Sequence, residues 1–236
     1  MIDLQTTRRP MNDAVAAIKE ELRDHRELID AFHRVWYASR QTHGMTFYEG
    51  VPVLKNPMDL WVYGEIVWDL RPTLVIETGT AFGGSALYIA RQLDRVGEGK
   101  VVSIDVEPAE KLPQHPRVTY VTASSTDPDL LGQLRDIAAG HPRVMATLDS
   151  DHSKKHVLAE MEAYAPMVTP GQFMVVEDTN LNGRPVYVDW KGGPGPGPAV
   201  DEWLPNHPEF EDSYLARRYM LTMHSWLRKV EGCETA

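Results

Sequence analysis

Three carboxylates that follow predicted strands could together hold a metal ion. Asp149 follows the apolar segment Val144–Leu148, while Glu177 and Asp178 follow the apolar residues of the segment Phe173–Glu177. Neighbouring carboxylates repel one another, so a group of three requires a cation or a proton among them. An all-oxygen ligand set suits Mg²⁺ before Mn²⁺ or Ca²⁺, and it does not suit zinc. The sequence therefore predicts a magnesium site.

His152 lies three residues after Asp149 and is the candidate general base. Histidine is the usual base near neutral pH, and a loop could bring this one to a substrate held by the metal. A structural role is the alternative, because His156 follows one helical turn later. The carboxylates have alternatives too: Asp151 is predicted to cap the following helix, and Lys154 could pair with one member of the trio.

A glycine-rich turn between a strand and a helix predicts a site for a small polar ligand. Residues 73–87, TLVIETGTAFGGSAL, form a buried strand, a turn and a helix that begins near Ser85. The glycines permit close backbone approach, and the helix start offers unpaired N–H groups, although packing alone could also explain such a turn. The order E-x-G-x-x-x-G-G lacks the second glycine that leaves room for a pyrophosphate, which disfavours NAD. Glu77 instead favours a cationic ligand, such as the ammonium group of S-adenosylmethionine.

The next two strand ends extend this predicted cofactor site. Asp105 ends the predicted strand Val101–Asp105, where an acid can accept hydrogen bonds from both ribose hydroxyls. Ser124 and Ser125 follow the strand Val118–Val121 and could contact a base edge. The candidate cofactor-binding residues are Glu77, Thr78, Gly79, Gly83, Ser85, Asp105, Ser124 and Ser125.

Regular alternation of strands and helices must position these residues. Helices are predicted over Leu130–Ala139 and Val157–Met167, between the strands named above. Alternation of this kind indicates a doubly wound, mostly parallel sheet, with ligands beyond the carboxyl ends of its strands. Asn56 and Pro57 form a helix start signal, and that helix is predicted to end before Pro72.

The first part of the chain predicts a helical extension. An apolar stripe over Met11–Arg40 indicates one amphipathic helix; it consists of Val15, Ile18, Leu22, Leu28, Ile29, Phe32, Val35 and Trp36. The stripe could dock on the main domain or on another subunit, and we expect a homo-oligomer, which a monomeric mass in light scattering would contradict. Residues His43–Lys55 are predicted to be an irregular connector. We expect residues 1–72 to form an N-terminal helical extension and cap, and residues 73–236 the main domain.

Beyond Asp178 the alternation stops. Residues Asn180–Pro198 contain GGPGPGP, predicted to be neither helix nor strand. This segment is either a substrate-covering loop or a plain connector, and long loops in compact domains favour the former. The closing segments Arg218–Met223 and Trp226–Val230 predict a terminal hairpin.

Composition excludes several classes of protein. The formal net charge of −10 argues against a nucleic-acid-binding surface. No apolar stretch approaches the roughly 20 residues needed to span a bilayer, and no apolar region follows Arg8 and Arg9 as in a secretory signal. Cys233 is the single cysteine, so no internal disulfide forms, as expected for a cytoplasmic protein.

Several ordered motifs resemble one known family. They are VPVLKNPMDLW, VIETGTAFGGSALYIA, SIDVEP, TASSTDPD, LDSDHSKKHVLAEMEAYAPMVTPGQFMVVEDTN, GGPGPGPAVDEWL and LTMHSWLRK. Together they resemble the cephalosporin hydroxylase family, which also contains rhamnosyl O-methyltransferases. The resemblance covers most of the chain after about His43.

The resemblance implies a class I methyltransferase, Rossmann-like α/β fold whose seven-stranded sheet has an antiparallel last strand. It also implies S-adenosylmethionine and a divalent metal. In related sugar O-methyltransferases an Asp-x-x-His segment and a later Glu-Asp pair supply three metal ligands and a base. Asp149, His152, Glu177 and Asp178 match that pattern. The closing hairpin departs from it, because it reads Met223–Trp226, MHSW, where relatives usually contain glycine and proline.

O-methyl transfer is the function we expect, with a sugar hydroxyl on a natural product or glycolipid as the acceptor. A phenolic diol would satisfy the same metal chemistry. Hydroxylation is an alternative, since His207, Glu209 and His224 could be imagined as an iron site. A non-catalytic cofactor-binding partner is a third possibility, although intact metal and base residues argue against it.

Overall fold

The computed structural model describes residues 11–39, 43–182, 184–187, 193–213, 219 and 221–230. Its helices are α1 (Met11–Asp24), α2 (Arg26–Ala38), α3 (Pro57–Leu70), α4 (Gly84–Val96), α5 (Pro128–Ala139), α6 (Lys154–Tyr164) and α7 (Pro196–Trp203). Its strands are β1 (Phe47–Tyr48), β2 (Val51–Pro52), β3 (Leu74–Thr78), β4 (Lys100–Asp105), β5 (Val118–Thr122), β6 (Val144–Leu148), β7 (Phe173–Val176), β8 (Phe210–Asp212) and β9 (Ser225–Lys229).

Seven strands form one sheet in the order β5-β4-β3-β6-β7-β9-β8. Strands β3 to β7 run parallel, and β9 is antiparallel to both β7 and β8. The expected α/β fold with a mostly parallel seven-stranded sheet is therefore confirmed. Because β3 and β6 are central neighbours, the ends of β4, β3, β6 and β7 lie side by side along one edge.

Helices cover both faces of the sheet, as the buried strands require. Leu74 and Ile76 of β3 pack on one side in a cluster with α5, α6 and α7. Val75 points to the other side, into a cluster with α3 and α4. The predicted start of α3 is confirmed, since the Asn56 side chain accepts a hydrogen bond from Met58 N at 3.1 Å. Within the described residues, no helix is both long and apolar enough to cross a membrane.

The N-terminal segment is two helices, so the prediction of one helix was wrong. The helices α1 and α2 meet at His25, whose backbone (φ −105°, ψ 16°) departs from helical geometry. The apolar stripe is divided as well: Ile29 is buried, whereas Leu28 is 69% and Val35 68% exposed. Arg40 and the side chain of Val15 lie outside the described residues.

The predicted connector His43–Lys55 contains an antiparallel hairpin, β1–β2. Its two turn residues, Glu49 (φ 48°) and Gly50 (φ 80°), both have positive φ, which matches the twist of a two-residue hairpin. The helix α6 also differs from its prediction, because it begins at Lys154 and ends at Tyr164.

Two predictions for the last quarter of the chain were wrong. The helix α7 begins inside GGPGPGP, because prolines are tolerated where the first turn needs no backbone donors. Residues 188–192 lie outside the described residues. The antiparallel partners of β9 are β7 and β8, with Phe210 opposite Lys229. Within Arg218–Met223, residues 218 and 220 are outside the described part, and 221–223 form no strand.

Candidate active site

The turn after β3 is glycine-rich because another strand lies against it. A Cβ atom on Gly79 would lie 1.9 Å from the carbonyl oxygen of Asp149, and the residue has φ 87°. Either condition alone disfavours a side chain there. Gly84, the first residue of α4, is confined in the same way, since its Cβ would lie 2.2 Å from the Pro52 oxygen. The turn is thus held between β6 and the β1–β2 hairpin.

A cavity of about 470 Å³ opens at this edge of the sheet. Five predicted cofactor-binding residues line it, namely Gly79, Ser85, Asp105, Ser124 and Ser125. Both carboxylate oxygens of Asp105 accept backbone N–H groups, Oδ2 from Ala81 and Oδ1 from Glu107, each at 2.9 Å. These bonds fix the orientation of a carboxylate at the cavity wall, where it retains lone pairs for further donors.

Three other predicted residues, Glu77, Thr78 and Gly83, are not among those that line the cavity. Glu77 is only 1% exposed and accepts a hydrogen bond from the Ser103 hydroxyl. Burial raises the pKa of Glu77 to about 7, although hydrogen bonds from Ser103 and Ser85 oppose the shift. Thr78 Oγ1 accepts from Asp149 N at 3.3 Å and so ties β3 to the end of β6.

The polar group at the ends of β6 and β7 lies on the opposite side of the same cavity. Asp149, His152 and Asp178 each offer one potential ligand atom, and these atoms lie within 4.8 Å of one another. His152 Nε2 is 3.2 Å from Asp149 Oδ1 and 3.5 Å from Asp178 Oδ2. Within the described part of the chain, no other cluster of His, Cys, Asp or Glu has this geometry.

Glu177, the third predicted metal ligand, points into the protein beneath this group. It is 2% exposed, and its Oε1 accepts hydrogen bonds from the hydroxyls of Tyr63 (2.7 Å) and Thr147 (2.9 Å). Its Oε2 pairs with the ammonium group of Lys55. The structure therefore brings Asp149, His152 and Asp178 together and places Glu177 one layer deeper.

Lys55 is a site residue that the sequence analysis missed. Its Nζ donates to Asp149 Oδ2 at 2.7 Å and also to Glu177, and the residue is buried. Burial alone would lower the pKa of Lys55, but the charges of Asp149 and Glu177 outweigh it and raise the pKa. Lys154, the sequence-based candidate for this pairing, instead pairs with Glu202 at 2.6 Å. Lys55 lies within the motif VPVLKNPMDLW, but nothing in its local sequence indicates its role, because Asp149 and Glu177 lie 94 and 122 residues further along the chain.

His152 is held in its charged form by the carboxylates around it. Burial disfavours the imidazolium ion, yet the hydrogen bond that His152 donates to Asp149 and the charge of Asp178 raise the pKa of His152 to about 9. The pKa of Asp149 is lowered: burial would raise it, but Lys55 and His152 outweigh that effect. Asp151 does not cap α6 directly; its Oδ1 accepts from Ser153 N at 2.8 Å, and Ser153 is the N-cap residue.

Two further residues hold Asp178 in place. The Tyr37 hydroxyl of α2 donates to Asp178 Oδ1. Burial, followed by the charge of Asp178, raises the pKa of Tyr37, which therefore remains a hydrogen-bond donor. The backbone N–H of Asp178 donates to Nδ1 of His224 at 3.1 Å. Neither residue was assigned this role from sequence, although His224 was noted in the closing segment.

The imagined iron site does not assemble. The His207 ring stacks on Trp203 with centroids 3.6 Å apart, and its Nδ1 donates to the Trp203 carbonyl oxygen at 2.8 Å. His224 lies elsewhere, with Nε2 3.3 Å from Glu177 Oε2. These contacts assign His207 and His224 to different surroundings, so they do not face one open metal position.

The strand order and the cavity at the carboxyl edge define the fold class as that of class I S-adenosylmethionine-dependent methyltransferases. Residues 40–230 match the family described as Rhamnosyl O-methyltransferase/CmcI. The chain belongs to this family and is an O-methyltransferase.

Curated relatives agree with this assignment. The chain is 38% identical over 192 residues to a rhamnosyl O-methyltransferase of Mycobacterium tuberculosis (strain ATCC 25618 / H37Rv), covering 78% of this chain and 75% of that protein. It is 37% identical over 194 residues to a rhamnosyl O-methyltransferase of Mycobacterium leprae (strain TN), covering 80% and 83%.

Solved structures share the fold at low sequence identity. A CmcI structure described with Mg and SAM has a TM-score of 0.61 and 18% identity, over 78% of this chain and 76% of that one. The MycE methyltransferase from the mycinamycin biosynthetic pathway, in complex with Mg, SAH and mycinamycin VI, has a TM-score of 0.52 and 17% identity. That match covers 74% of this chain and 50% of MycE.

Proposed function

We propose that this protein transfers the methyl group of S-adenosylmethionine to a sugar hydroxyl in a reaction that requires Mg²⁺. The observation that carries the proposal is the group Asp149, His152 and Asp178, which borders the cavity formed by the β3–α4 turn. Two carboxylates, a neighbouring histidine base and a glycine-lined cofactor cavity in one place are what metal-dependent methyl transfer needs.

The residues present fit both cofactors. The oxygen donors of Asp149 and Asp178, with Glu177 behind them, suit Mg²⁺, which would lower the pKa of a bound acceptor hydroxyl. The close approach at Gly79 keeps that turn free of side chains, and Asp105 is oriented to accept hydroxyl donors. S-adenosylmethionine would supply an electrophilic methyl group on sulfur.

His152 is the residue that we assign to proton removal. Its Nε2 lies between the carboxylates of Asp149 and Asp178, so a proton taken from the acceptor is held by two negative charges. Sharing those charges with a cation favours the neutral imidazole, the form that a base must have before the reaction. Tyr37 and Lys55 act indirectly, because they fix Asp178 and Asp149.

The acceptor class follows from the relatives rather than from the site. The named relatives are rhamnosyl O-methyltransferases, and MycE belongs to a natural-product pathway. We therefore propose a sugar hydroxyl on a natural product or glycolipid. A phenolic diol, which also presents two neighbouring oxygens, is the competing acceptor.

Metal removal tests the proposal. Rhamnosides and catechols are assayed for methyl transfer with and without EDTA, while calorimetry measures binding of S-adenosylhomocysteine. We expect EDTA to abolish transfer to a rhamnoside and to leave product binding largely intact, because Asp105 and the metal group lie on different strands. Full transfer in EDTA would refute the metal assignment, and transfer to catechols alone would refute the sugar.

A matched pair of variants localises the metal effect. Glu177→Gln keeps the shape of the side chain and removes one charge, so metal affinity and turnover should fall together, with partial recovery in excess Mg²⁺. Glu162→Gln, on the exposed side of α6, is the control and should change neither. Equal behaviour of the two variants would contradict a role for Glu177 at the metal.

A further inference from the structure

A groove of about 1130 Å³ separates the N-terminal helices from the main domain, and the proposed mechanism does not use it. Ile29 and His33 of α2 line one wall. Asn180, after β7, and Thr222, before β9, line the opposite side. The groove is more than twice the volume of the cofactor cavity.

The groove lies next to the cluster of Asp149, His152 and Asp178. Asp178 lines the cofactor cavity, and Asn180, two residues later, lines the groove. The same relation holds in α2, where His33 lines the groove and Tyr37, one helical turn later, lines the cofactor cavity. Since Tyr37 donates to Asp178, this hydrogen bond joins the two segments that border both cavities.

Two buried polar atoms at this wall have no hydrogen-bond partner among the described residues. They are Oδ1 of Asn180 and Nε2 of His33, and both side chains are almost completely buried. Their other polar atoms, Asn180 Nδ2 and His33 Nδ1, lie 3.4 Å apart. Unsatisfied buried polar atoms are costly in a native structure and so require an explanation. A ligand that both donates and accepts hydrogen bonds would supply it.

The charges that line the groove are nearly balanced, which favours a neutral ligand. The charged lining side chains are Lys19, Arg23, Arg26 and Arg184 on the basic side and Asp30, Asp201 and Asp212 on the acidic side. Arg26 pairs with Asp30 at 3.0 Å, and Arg184 pairs with Asp201. Burial lowers the pKa of His33 to about 4, with Asp30 partly opposing the shift, so the ring is neutral at physiological pH. A phosphate or nucleotide would require an excess of one sign of charge. Paired charges and neutral amide and imidazole groups suit hydroxyl groups instead.

We infer that this groove binds the body of the methyl acceptor, a neutral glycoside that carries an aglycone or a second sugar beyond the methylated ring. The inference deepens the proposed function and rests on it. The volume supports a ligand of this size, since about 1130 Å³ is slightly more than the roughly 300–1,000 Å³ of pockets for drug-sized molecules. Asn180 and His33 then contribute to acceptor specificity, and neither takes part in the chemistry.

Two groove variants with matched controls test the inference, with phenyl rhamnoside and free rhamnose as probes. Leu22→Trp narrows the groove from α1, and Leu28→Trp places the same side chain on an exposed site outside it. Asn180→Ala removes the unsatisfied amide, and Asn206→Ala is its exposed control. Because Asn180 is buried, Leu22→Trp serves as the variant least prone to folding defects.

We expect phenyl rhamnoside to have a lower KM than rhamnose in the unmodified protein. Leu22→Trp and Asn180→Ala should each raise the KM for phenyl rhamnoside about tenfold, the usual worth of one well-made contact. The kcat and the affinity for S-adenosylhomocysteine should stay within about twofold, which a general structural defect would not allow. Both controls should match the unmodified protein.

Direct binding, measured by saturation-transfer NMR, separates this inference from the proposed function. Methyl transfer that neither groove variant affects would overturn the groove and leave the function standing. A second outcome is that the unmodified protein binds phenyl rhamnoside, that Leu22→Trp abolishes this binding, and that no protein transfers methyl groups. This outcome would support the groove and refute the proposed function. Neither binding nor transfer would overturn both.

Discussion

The two halves of the carboxyl edge are built on opposite principles. The half at β3 and β4, here the cofactor half, is a backbone cradle, in which glycine geometry and one oriented carboxylate, Asp105, shape the cavity proposed for the cofactor. The half at β6 and β7, here the metal half, is a set of charges proposed to hold the metal, and Lys55 and Tyr37 from distant segments fix it. The cradle is thus local in sequence, whereas the carboxylates of the other half depend on partners, Lys55 and Tyr37, from distant segments.

Two buried glutamates sharpen this comparison. Glu77 lies in β3 and Glu177 directly follows β7, and the two are exposed to nearly the same small extent, 1% and 2%. Glu77 is surrounded by hydroxyl donors and has no cation within hydrogen-bond distance among the described residues, whereas Glu177 is paired with Lys55. Burial of a carboxylate is expensive without a paired charge. In the cofactor half, burial raises the pKa of Glu77, so that its side chain is more easily protonated. In the metal half, Lys55 places a positive charge beside Glu177.

The largest effect should come from the metal half. His152→Ala should lower kcat by about 10²–10⁴-fold, the usual contribution of a positioned base, with little change in S-adenosylhomocysteine binding. His141→Ala, which alters a histidine outside both cavities, is the control. Steady-state kinetics with excess Mg²⁺ should show no rescue. A His152→Ala protein with unchanged kcat would assign this histidine a structural role.

Lys55→Met should have the next largest effect, this time on stability. The change leaves Asp149 and Glu177 without their buried partner, and breaking such a pair costs about 3–5 kcal/mol. Lys154→Met breaks the more exposed pair with Glu202 and should cost less than about 1 kcal/mol. Urea unfolding in EDTA measures both. Equal losses in the two variants would show that Lys55 does not hold the metal half together.

The smallest effect should appear in the cofactor half and depend on pH. The folded-state pKa of Glu77, about 7, lies above its ordinary value of 4.5. The folded protein therefore binds the extra proton between these values, so Glu77 destabilises the fold as pH rises from 4.5 through 7. Relative to unmodified protein, Glu77→Gln should gain up to about 3 kcal/mol between pH 4.5 and 8. The measurement is the free energy of unfolding of both proteins as a function of pH. A constant difference between them across this range would contradict the raised pKa of Glu77.

The backbone cradle could be predicted from the sequence because the residues that form it are contiguous. The strand, the turn and the helix start lie within residues 73–87, and the cap at Asn56 lies next to the helix that it begins. The strand–helix alternation likewise predicted the parallel sheet. The family resemblance added the antiparallel last strand, which β9 confirms.

The failures at β9, Lys55 and Tyr37 share a physical cause, namely partners that are distant in sequence. β9 pairs with β8 and β7 instead of with the segment immediately before it, which no local pattern indicates. Lys55 and Tyr37 reach carboxylates far along the chain. The start of α7 was mispredicted for another reason. The proline and glycine content of GGPGPGP argued against a helix, although the first turn of a helix tolerates proline. The division of the chain at residue 72 stays a prediction.

The position of β9 has a consequence for the order in which the protein is made. β9 lies between β7 and β8 in the sheet, yet it follows both of them in the chain. During synthesis from the N-terminus, the cradle at β3 and β4 has all its strands long before the ribosome delivers β9. Until then β7 has a free edge, and Asp178 lacks the His224 contact that fixes its backbone. The nascent chain therefore completes its cofactor half first and its metal half last.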